Sequence, residues 1–273
     1  MTTMAGAADT RILPDNYKFL QEFIYRESGI VLEEEKQYLL DARLLGLARE
    51  SGVTTLNDLC ALLRATQPAG LKQKVVDAMT TNETYFLREQ AHYDALRQFI
   101  LPELLKLHAD TRRLRFWSAA SSTGQEAYTL AMMLLEMGLG DWNIEILGTD
   151  LCTKVLEQAR TGTYTQLEMN RGLPSTYLLK YFRRAGLQWQ IRDEIRRMVK
   201  FEPFDLRSSM RAMGPFDAVF CRNVLIYFDL PTKIKIVQQI HGTLFRGGHL
   251  FLGSTETSLP AGDLFERTSI GDA

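Results

Sequence analysis

Asp150 ends the apolar run ILGTD and lies 26 positions after Gly124, which closes the small-residue turn SAASSTG. A carboxylate at the end of the second strand accepts hydrogen bonds from the ribose hydroxyls in dinucleotide-binding folds. The small side chains of residues 119–122 permit close approach of a backbone to a ligand, and Gly124 can adopt a positive φ. The turn and the acid together favour a ribose-containing ligand; the alternative is that Asp150 caps the next helix.

The turn lacks the G-x-G-x-x-G pattern that binds a pyrophosphate. A dinucleotide is therefore disfavoured, and a nucleoside-containing ligand without phosphates fits better. Glu126 follows the turn at the predicted start of a helix. Two interpretations stay open for its carboxylate: it complements the helix dipole, or it meets a cationic part of the ligand.

Two further stretches carry polar side chains next to apolar runs. In CRNVLIYF, Asn223 offers both a donor and an acceptor to a ligand, whereas Tyr227 can also be a core aromatic residue. In TTNETYFLRE, the structural interpretation is a helix capped by residues 80–82, with Glu83 in its first turn and Arg88 in solvent.

The elements that must position these residues follow from hydrophobic spacing. Helical spacing begins at Tyr17, stops at Gly29, and continues in segments that end near Met79. This pattern predicts a helical domain at 15–79, preceded by a flexible tail at 1–14 and followed by a linker and helix at 80–110.

From residue 111 the pattern changes to short apolar runs separated by helical segments. The runs are Leu114–Ala119, Ile144–Thr149, Met198–Phe201, Phe216–Cys221 and His249–Gly253. This alternation predicts an α/β domain at 111–273 with a parallel sheet covered by helices on both faces. The long gap after Asp150 predicts a helix at Thr153–Arg160 and then an inserted β-subdomain at about 181–201, with a hairpin in LQWQIRDEIRRMVKF.

Composition excludes several classes of protein. The net charge of −1 gives no global attraction to nucleic acid or to an anionic membrane, and no apolar stretch reaches the roughly 18 residues that span a bilayer. Three separated cysteines argue against a disulfide framework, and the four histidines lack ligand spacing, so no metal is expected. We expect a cytoplasmic protein.

Taken together, TTNETYFLR, WSAASSTGQEAYTLAM, GTD, FDAVFCRNVLIYFD and GGHLFLGSTET resemble the CheR-type chemoreceptor glutamate O-methyltransferases, from about Tyr17 to about Phe265. The resemblance implies an N-terminal helical domain, a Rossmann-like methyltransferase domain with a small inserted β-subdomain, and S-adenosylmethionine as cofactor with S-adenosylhomocysteine as product. It also implies methylation of glutamates on receptor cytoplasmic helices by a bacterial enzyme in chemotaxis.

The resemblance implies roles for individual residues. Arg88 is the first catalytic candidate and Tyr227 the second. The implied cofactor-binding residues are Asn82, Thr84, Arg88, Glu126, Asp150, Asp205, Leu206, Asn223 and Val224. The family pair after the third strand is Asn-Leu, whereas here the pair is Asp205 and Leu206. Asp205 lacks the amide donor that Asn would offer to adenine.

The implied partner is the helical cytoplasmic domain of a chemoreceptor. Candidate docking residues in the helical domain are Arg43, Arg49, Lys72 and Lys74; a solvated helix face is the alternative. The insertion also holds an excess of arginine and lysine. Because the hairpin carries only Gly186 and is short, we expect docking without a receptor C-terminal tether peptide. We also expect a monomer. Two other classes of protein stay open: a nucleic-acid methyltransferase, and a cofactor-binding regulator without turnover.

Overall fold

The computed structural model describes residues 11–65, 70–256 and 264–270. The chain divides into two compact units, Met1–Thr81 and Asn82–Ala273. Residues 1–10 of the predicted tail lie outside the described residues. Ile12 is buried in the core of the first unit, and Leu13 N donates to Asn57 Oδ1 at 3.0 Å, so the chain is already packed before residue 14.

The first unit is helical, as predicted. Its helices are α1 (Pro14–Ser28), α2 (Tyr38–Glu50), α3 (Leu56–Ala65) and α4 (Leu71–Met79). Gly29 ends α1 with a left-handed φ of 76°, and its N–H donates to Tyr25 O. An αL residue is the usual stop for a helix, because it redirects the chain while satisfying a terminal carbonyl.

The second unit alternates helices and strands. Its helices are α5 (Gln90–Ala95), α6 (Leu101–Leu107), α7 (Gln125–Glu136), α8 (Thr153–Thr161), α9 (Gln166–Asn170), α10 (Ser175–Tyr181), α11 (Asp193–Arg196) and α12 (Leu230–His241). Its strands are β1 (Arg113–Ala119), β2 (Asn143–Asp150), β3 (Thr163–Thr165), β4 (Phe182–Ala185), β5 (Gln188–Ile191), β6 (Val199–Pro203), β7 (Phe216–Cys221) and β8 (Leu244–Leu252).

Five of these strands form one sheet in the order β6-β2-β1-β7-β8, and every neighbouring pair is parallel. The chain moves outward from β1 to β6 and then returns to the other side of β1 at β7. This reversal is the switch point at which open α/β sheets bind ligands beyond the carboxyl ends of their strands. The parallel sheet predicted from the apolar runs is confirmed.

Both faces of this sheet are covered. Along β1, Phe116 belongs to a core shared with α7 and α8, whereas the next residue, Trp117, belongs to a core shared with α12. All six residues of β7 are buried. A strand buried on both faces reads as a continuous apolar run, which is why β7 was recognisable in the sequence.

A separate antiparallel sheet has the strand order β3-β5-β4. It begins earlier than the predicted insertion at 181–201, because β3 pairs with β5 across Thr163 and Gln190. The hairpin predicted in LQWQIRDEIRRMVKF is misplaced. The hairpin is formed by β4 and β5, with Gly186 at φ 62° in its turn, and the residues after β5 form α11. The hairpin is short, as its single glycine indicated.

The segment before α5 is not the helix that its capping-type residues predicted. Residues 81–85 have no regular structure, and α5 begins only at Gln90. Leu87 and Glu89 adopt φ values of 56° and 55°. A helix cannot continue through residues in the left-handed region. Residues 81–89 therefore form an irregular segment, here called the strap, and not the first turn of a helix.

Candidate active site

The turn after β1 is built from left-handed backbone. Ala120, Ser122 and Gly124 have φ values of 63°, 50° and 92°. Residues other than glycine rarely adopt this region, and such outliers concentrate at ligand sites. At Gly124, an added Cβ would lie 2.9 Å from the Phe201 ring, so glycine is required there for close packing as well as for φ.

Asp150 lies at the end of β2 and is 7% exposed. Its Oδ2 accepts a hydrogen bond from Ser122 N at 2.8 Å, and its Oδ1 accepts one from Cys152 N at 2.9 Å. The residue at the N-cap of α8 is Cys152, so Asp150 does not occupy the capping position considered above. Both carboxylate oxygens thus bind backbone amides, and the contact of Asp150 with ribose hydroxyls stays a prediction.

The strap contributes Asn82 and Arg88 to this side of the second unit. Asn82 O accepts from Ser122 Oγ at 2.8 Å, and Asn82 Nδ2 lies 3.7 Å from Cys152 Sγ. Arg88 is half-buried; its Nη1 donates to Glu83 O at 2.9 Å, and its guanidinium lies 5.6 Å from the centre of the Tyr85 ring. Asn82 is thus joined to the turn, and the Arg88 side chain is held against its own strap.

Three charged residues form a buried group that sequence reasoning missed in part, here called the Arg222 cluster: Arg222, Glu89 and Glu126. The Arg222 side chain is 1% exposed and lies 3.0 Å from Glu89 Oε2 and 3.0 Å from Glu126 Oε2. It also donates to the backbone carbonyl of Arg88. The cluster therefore ties the strap, the first turn of α7 and the end of β7 together.

The two carboxylates of the Arg222 cluster have opposite pKa shifts. Burial raises the pKa of Glu126 above its ordinary value, although Arg222 and Ser118 act against the shift. Burial also acts to raise the pKa of Glu89, but the charge and hydrogen bonds of Arg222 lower it below its ordinary value. Glu126 is the more deeply buried side chain, so desolvation outweighs the charge of Arg222 only there. Glu126 remains in the first turn of α7, consistent with the helix-dipole role.

The loop after β7 holds the remaining predicted residues of the CRNVLIYF stretch. Asn223 has a φ of 57°, and its Nδ2 lies 3.3 Å from Glu89 Oε1. Val224 and Tyr227 are half-buried, and Tyr227 ends a 3-10 turn. A buried carboxylate from the segment after β8, Glu256, binds the backbone amides of this loop. Sequence reasoning missed Glu256 and Arg222; the arginine directly after the apolar run FDAVFC was the available signal.

Asp205 and Leu206 follow β6 at the far edge of the sheet. The Asp205 carboxylate pairs with Arg207, whose Nη2 lies 2.7 Å from Oδ2 and whose backbone N–H donates to Oδ1. Leu206 is buried. The negative charge of Asp205 is thus paired with the guanidinium of Arg207. The role of Asp205 in binding adenine stays a prediction.

These residues fit a nucleoside-containing cofactor. Ser121 Oγ is buried beside the turn and makes no hydrogen bond within the described part of the chain. A buried hydroxyl in this state is uncommon and calls for a partner. The parallel sheet, its switch point and the acid at the end of β2 define the class: a Rossmann-like α/β domain with a ligand crevice beyond its strands.

Comparison with known proteins identifies the family. The family model "CheR methyltransferase, SAM binding domain" matches residues 82–270, and "CheR methyltransferase, all-alpha domain" matches residues 15–80. Chemotaxis protein methyltransferase 1 of Pseudomonas aeruginosa is 42% identical over 247 residues, which cover 88% of this chain and 89% of the relative. The chemotaxis protein methyltransferase of Vibrio parahaemolyticus is 38% identical over 261 residues, 93% of this chain and 94% of the relative.

The chain belongs to the CheR methyltransferase family, and it is an S-adenosylmethionine-dependent methyltransferase. The predicted family, fold class, enzyme class and cofactor are confirmed. In the described ranges no helix is both long and apolar enough to cross a membrane. The same ranges contain no group of three or more metal-binding side chains close enough to hold an ion.

Proposed function

We propose that this enzyme transfers the methyl group of S-adenosylmethionine to glutamate side chains on the cytoplasmic helices of chemoreceptors. The products are glutamyl methyl esters and S-adenosylhomocysteine, and the role is adaptation in chemotaxis within the cytoplasm. The observation that carries the proposal is that Ser122 of the SAASSTG turn binds both Asp150 and the strap residue Asn82 within one unit. The names of the relatives, which are chemotaxis protein methyltransferases, support it.

Cofactor binding divides among three parts of the second unit. Asp150 accepts the ribose hydroxyls. The Arg222 cluster holds two carboxylates and one guanidinium, so an excess of negative charge faces the cationic methionine part through Glu126. Other residues proposed to line the cofactor are Asn82, Thr84, Asp205, Leu206, Asn223 and Val224.

The chemistry requires no strong general base. A glutamate carboxylate has an ordinary pKa of about 4.3 and is ionised at neutral pH. When bound, the cofactor supplies an electrophilic methyl group on a good leaving group. The protein's contribution is to align the carboxylate oxygen and exclude water. Arg88 orients that carboxylate through a bidentate pair, and the Tyr227 hydroxyl supports the same geometry.

Replacing Asp150 by alanine tests the ribose contact. We expect Asp150→Ala to lose about 1.5 to 3 kcal/mol of binding free energy for S-adenosylhomocysteine, the range for hydrogen bonds to a charged group. Isothermal calorimetry measures the loss, with circular dichroism to verify the fold. Asp141→Ala, at an exposed acid before β2, serves as the control and should bind normally. Equal affinity of Asp150→Ala and the parent would show that the carboxylate only supports the turn.

Methyl transfer itself is tested with radiolabelled cofactor and a panel of receptor cytoplasmic fragments. Glutamyl methyl esters release methanol in base, so the product label should be volatile after alkali treatment. Fragments in which the accepting glutamates are replaced by alanine are the matched controls. A base-stable product, or label on nucleic acid only, would contradict the proposed substrate.

Docking on the receptor helices is proposed to use basic residues of the first unit. Two of the four candidates have internal partners: Arg43 donates to Met79 O at 2.6 Å, and Lys72 pairs with Glu27. Arg49 and Lys74 are exposed and are therefore the better contacts.

This docking mode predicts that methylation needs no receptor terminal peptide. It also predicts that the methylation rate falls steeply with added salt, since exposed charges more than about 10 Å apart are screened at 0.1 M. The double variant Arg49→Glu/Lys74→Glu should slow methylation at low salt, whereas Lys18→Glu, also on an exposed helix position, should not. Initial rates on one fragment with and without its terminal peptide, at two salt concentrations, measure both effects. A large loss without the peptide and little salt effect would move the anchor to the small sheet.

A further inference from the structure

Glu256 lies just after β8 and is 4% exposed, yet its carboxylate is surrounded by backbone donors. Oε2 accepts from Asn223 N at 2.6 Å and from Gly253 N at 2.8 Å. Oε1 accepts from Val224 N, Leu225 N and Ile226 N at 2.9, 2.7 and 3.3 Å. One side chain therefore satisfies five amides, four of them consecutive in the loop after β7.

Consecutive amides that converge on an anion form a concave site whose shape depends on that anion. In this loop the anion is part of the protein. It stabilises the left-handed backbone of Asn223, a conformation that a non-glycine residue adopts only when its surroundings impose it. Gly253 allows the approach, because an added Cβ would lie 2.6 Å from Asn223 Nδ2 and 2.7 Å from Glu256 Oε2.

We infer that Glu256 is a positioning residue for cofactor binding: it sets the loop that carries Asn223 and Val224. The inference rests on the proposed function, in which these two residues line the cofactor. In this role Glu256 acts through the loop amides and does not itself need to touch the cofactor. Its effect should therefore appear in the affinity for S-adenosylhomocysteine and in KM for S-adenosylmethionine, with a smaller effect on kcat.

The first test is Glu256→Gln, which keeps the size of the side chain but turns one acceptor oxygen into an NH2 donor that faces amide donors. Loss of a supporting hydrogen-bond partner around metal ligands costs about 10- to 100-fold in affinity or activity, and we expect the same scale here for S-adenosylhomocysteine. Glu256→Asp keeps the charge but is too short to reach all five amides. It should lose affinity by a smaller factor, and it decides the question if the glutamine variant does not fold.

The matched control is Asp217→Asn on the same strand that precedes the loop. Asp217 is a second buried carboxylate, 5% exposed, which accepts from Arg115 N at 2.7 Å and lies 2.7 Å from His108 Nε2 near the start of β7. This variant should lower Tm but bind S-adenosylhomocysteine with parental affinity. A purely structural role for Glu256 predicts instead that affinity follows Tm in both variants.

Calorimetric titration with S-adenosylhomocysteine gives a distinct result for each case. Weaker binding by Glu256→Gln and Glu256→Asp, with normal binding by Asp217→Asn, supports the inference. Parental affinity in the Glu256 variants, or an equal loss in Asp217→Asn, overturns it while the proposed function stands. Failure of the parent itself to bind S-adenosylhomocysteine would overturn the proposed function and the inference together.

Discussion

Arg222→Met is expected to destabilise the second unit by about 3 to 5 kcal/mol, the cost of removing one partner from a buried ion pair. Arg222 is the cation between Glu89 and Glu126. Without it the deeply buried Glu126 carboxylate would lose its counter-charge, whereas Glu89, whose side chain is 22% exposed, would keep contact with solvent. Urea denaturation followed by tryptophan fluorescence measures the loss in this unit, since all three tryptophans, Trp117, Trp142 and Trp189, lie in it. Arg113→Met, which breaks an exposed pair with Glu145, should cost less than about 1 kcal/mol.

The pH dependence of this loss has a definite sign. Glu126 already has a raised pKa in the folded state, and removing Arg222 raises it further. A carboxyl with a folded pKa above its unfolded value binds protons more readily when folded, so stability falls as pH rises above the ordinary carboxyl pKa of about 4.3. The difference in unfolding free energy between parent and Arg222→Met should therefore shrink from pH 7 to pH 5. A constant difference over this range would contradict the buried-charge explanation.

Arg88→Lys is expected to lower kcat for methyl transfer about 100-fold with little change in cofactor affinity. Lysine keeps the charge but lacks the planar pair of donors that aligns a carboxylate. Misplacement of a reacting group by about 1 Å can cost about 10²-fold in rate. Single-turnover transfer to a receptor fragment measures the step directly, and calorimetry verifies that S-adenosylhomocysteine still binds.

The chain offers a matched control for this substitution. Arg171 also lies over the Tyr85 ring, at 4.5 Å from its centre, but its guanidinium pairs with Glu83 and is about half exposed. Arg171→Lys makes the same chemical change beside the same ring and should leave the rate nearly unaltered. Parental single-turnover rates in Arg88→Lys would show that the bidentate role is wrong.

The pattern of residue types along the chain predicted some parts of the site and not others. Asp150 was found because it ends an apolar run, and strand ends at the switch point are where ligands bind. In the strap, the residue types of Thr80 to Asn82 by themselves favour a helix cap, and only the family resemblance pointed to a site there. The left-handed Leu87 and Glu89 prevent that helix, and nothing in their residue types signals a positive φ. Their conformation accompanies the hydrogen bond from Arg222 to Arg88 O and the pairing of Arg222 with Glu89, which are tertiary contacts.

The amino-acid sequence was sufficient for the helical first unit, the five parallel strands and the place of Asp150 at the end of β2. These features depend on the spacing of apolar residues along the chain, which is a local property that can be read from one sequence. The pairing of Glu89 with Arg222 spans 133 positions, and four of the five amides bound by Glu256 lie 30 to 33 positions before it. Burying a charge costs free energy unless a counter-charge or hydrogen-bond donor lies beside it, and which group lies there depends on the fold. Only the tertiary structure could therefore decide which charged residues hold the site together.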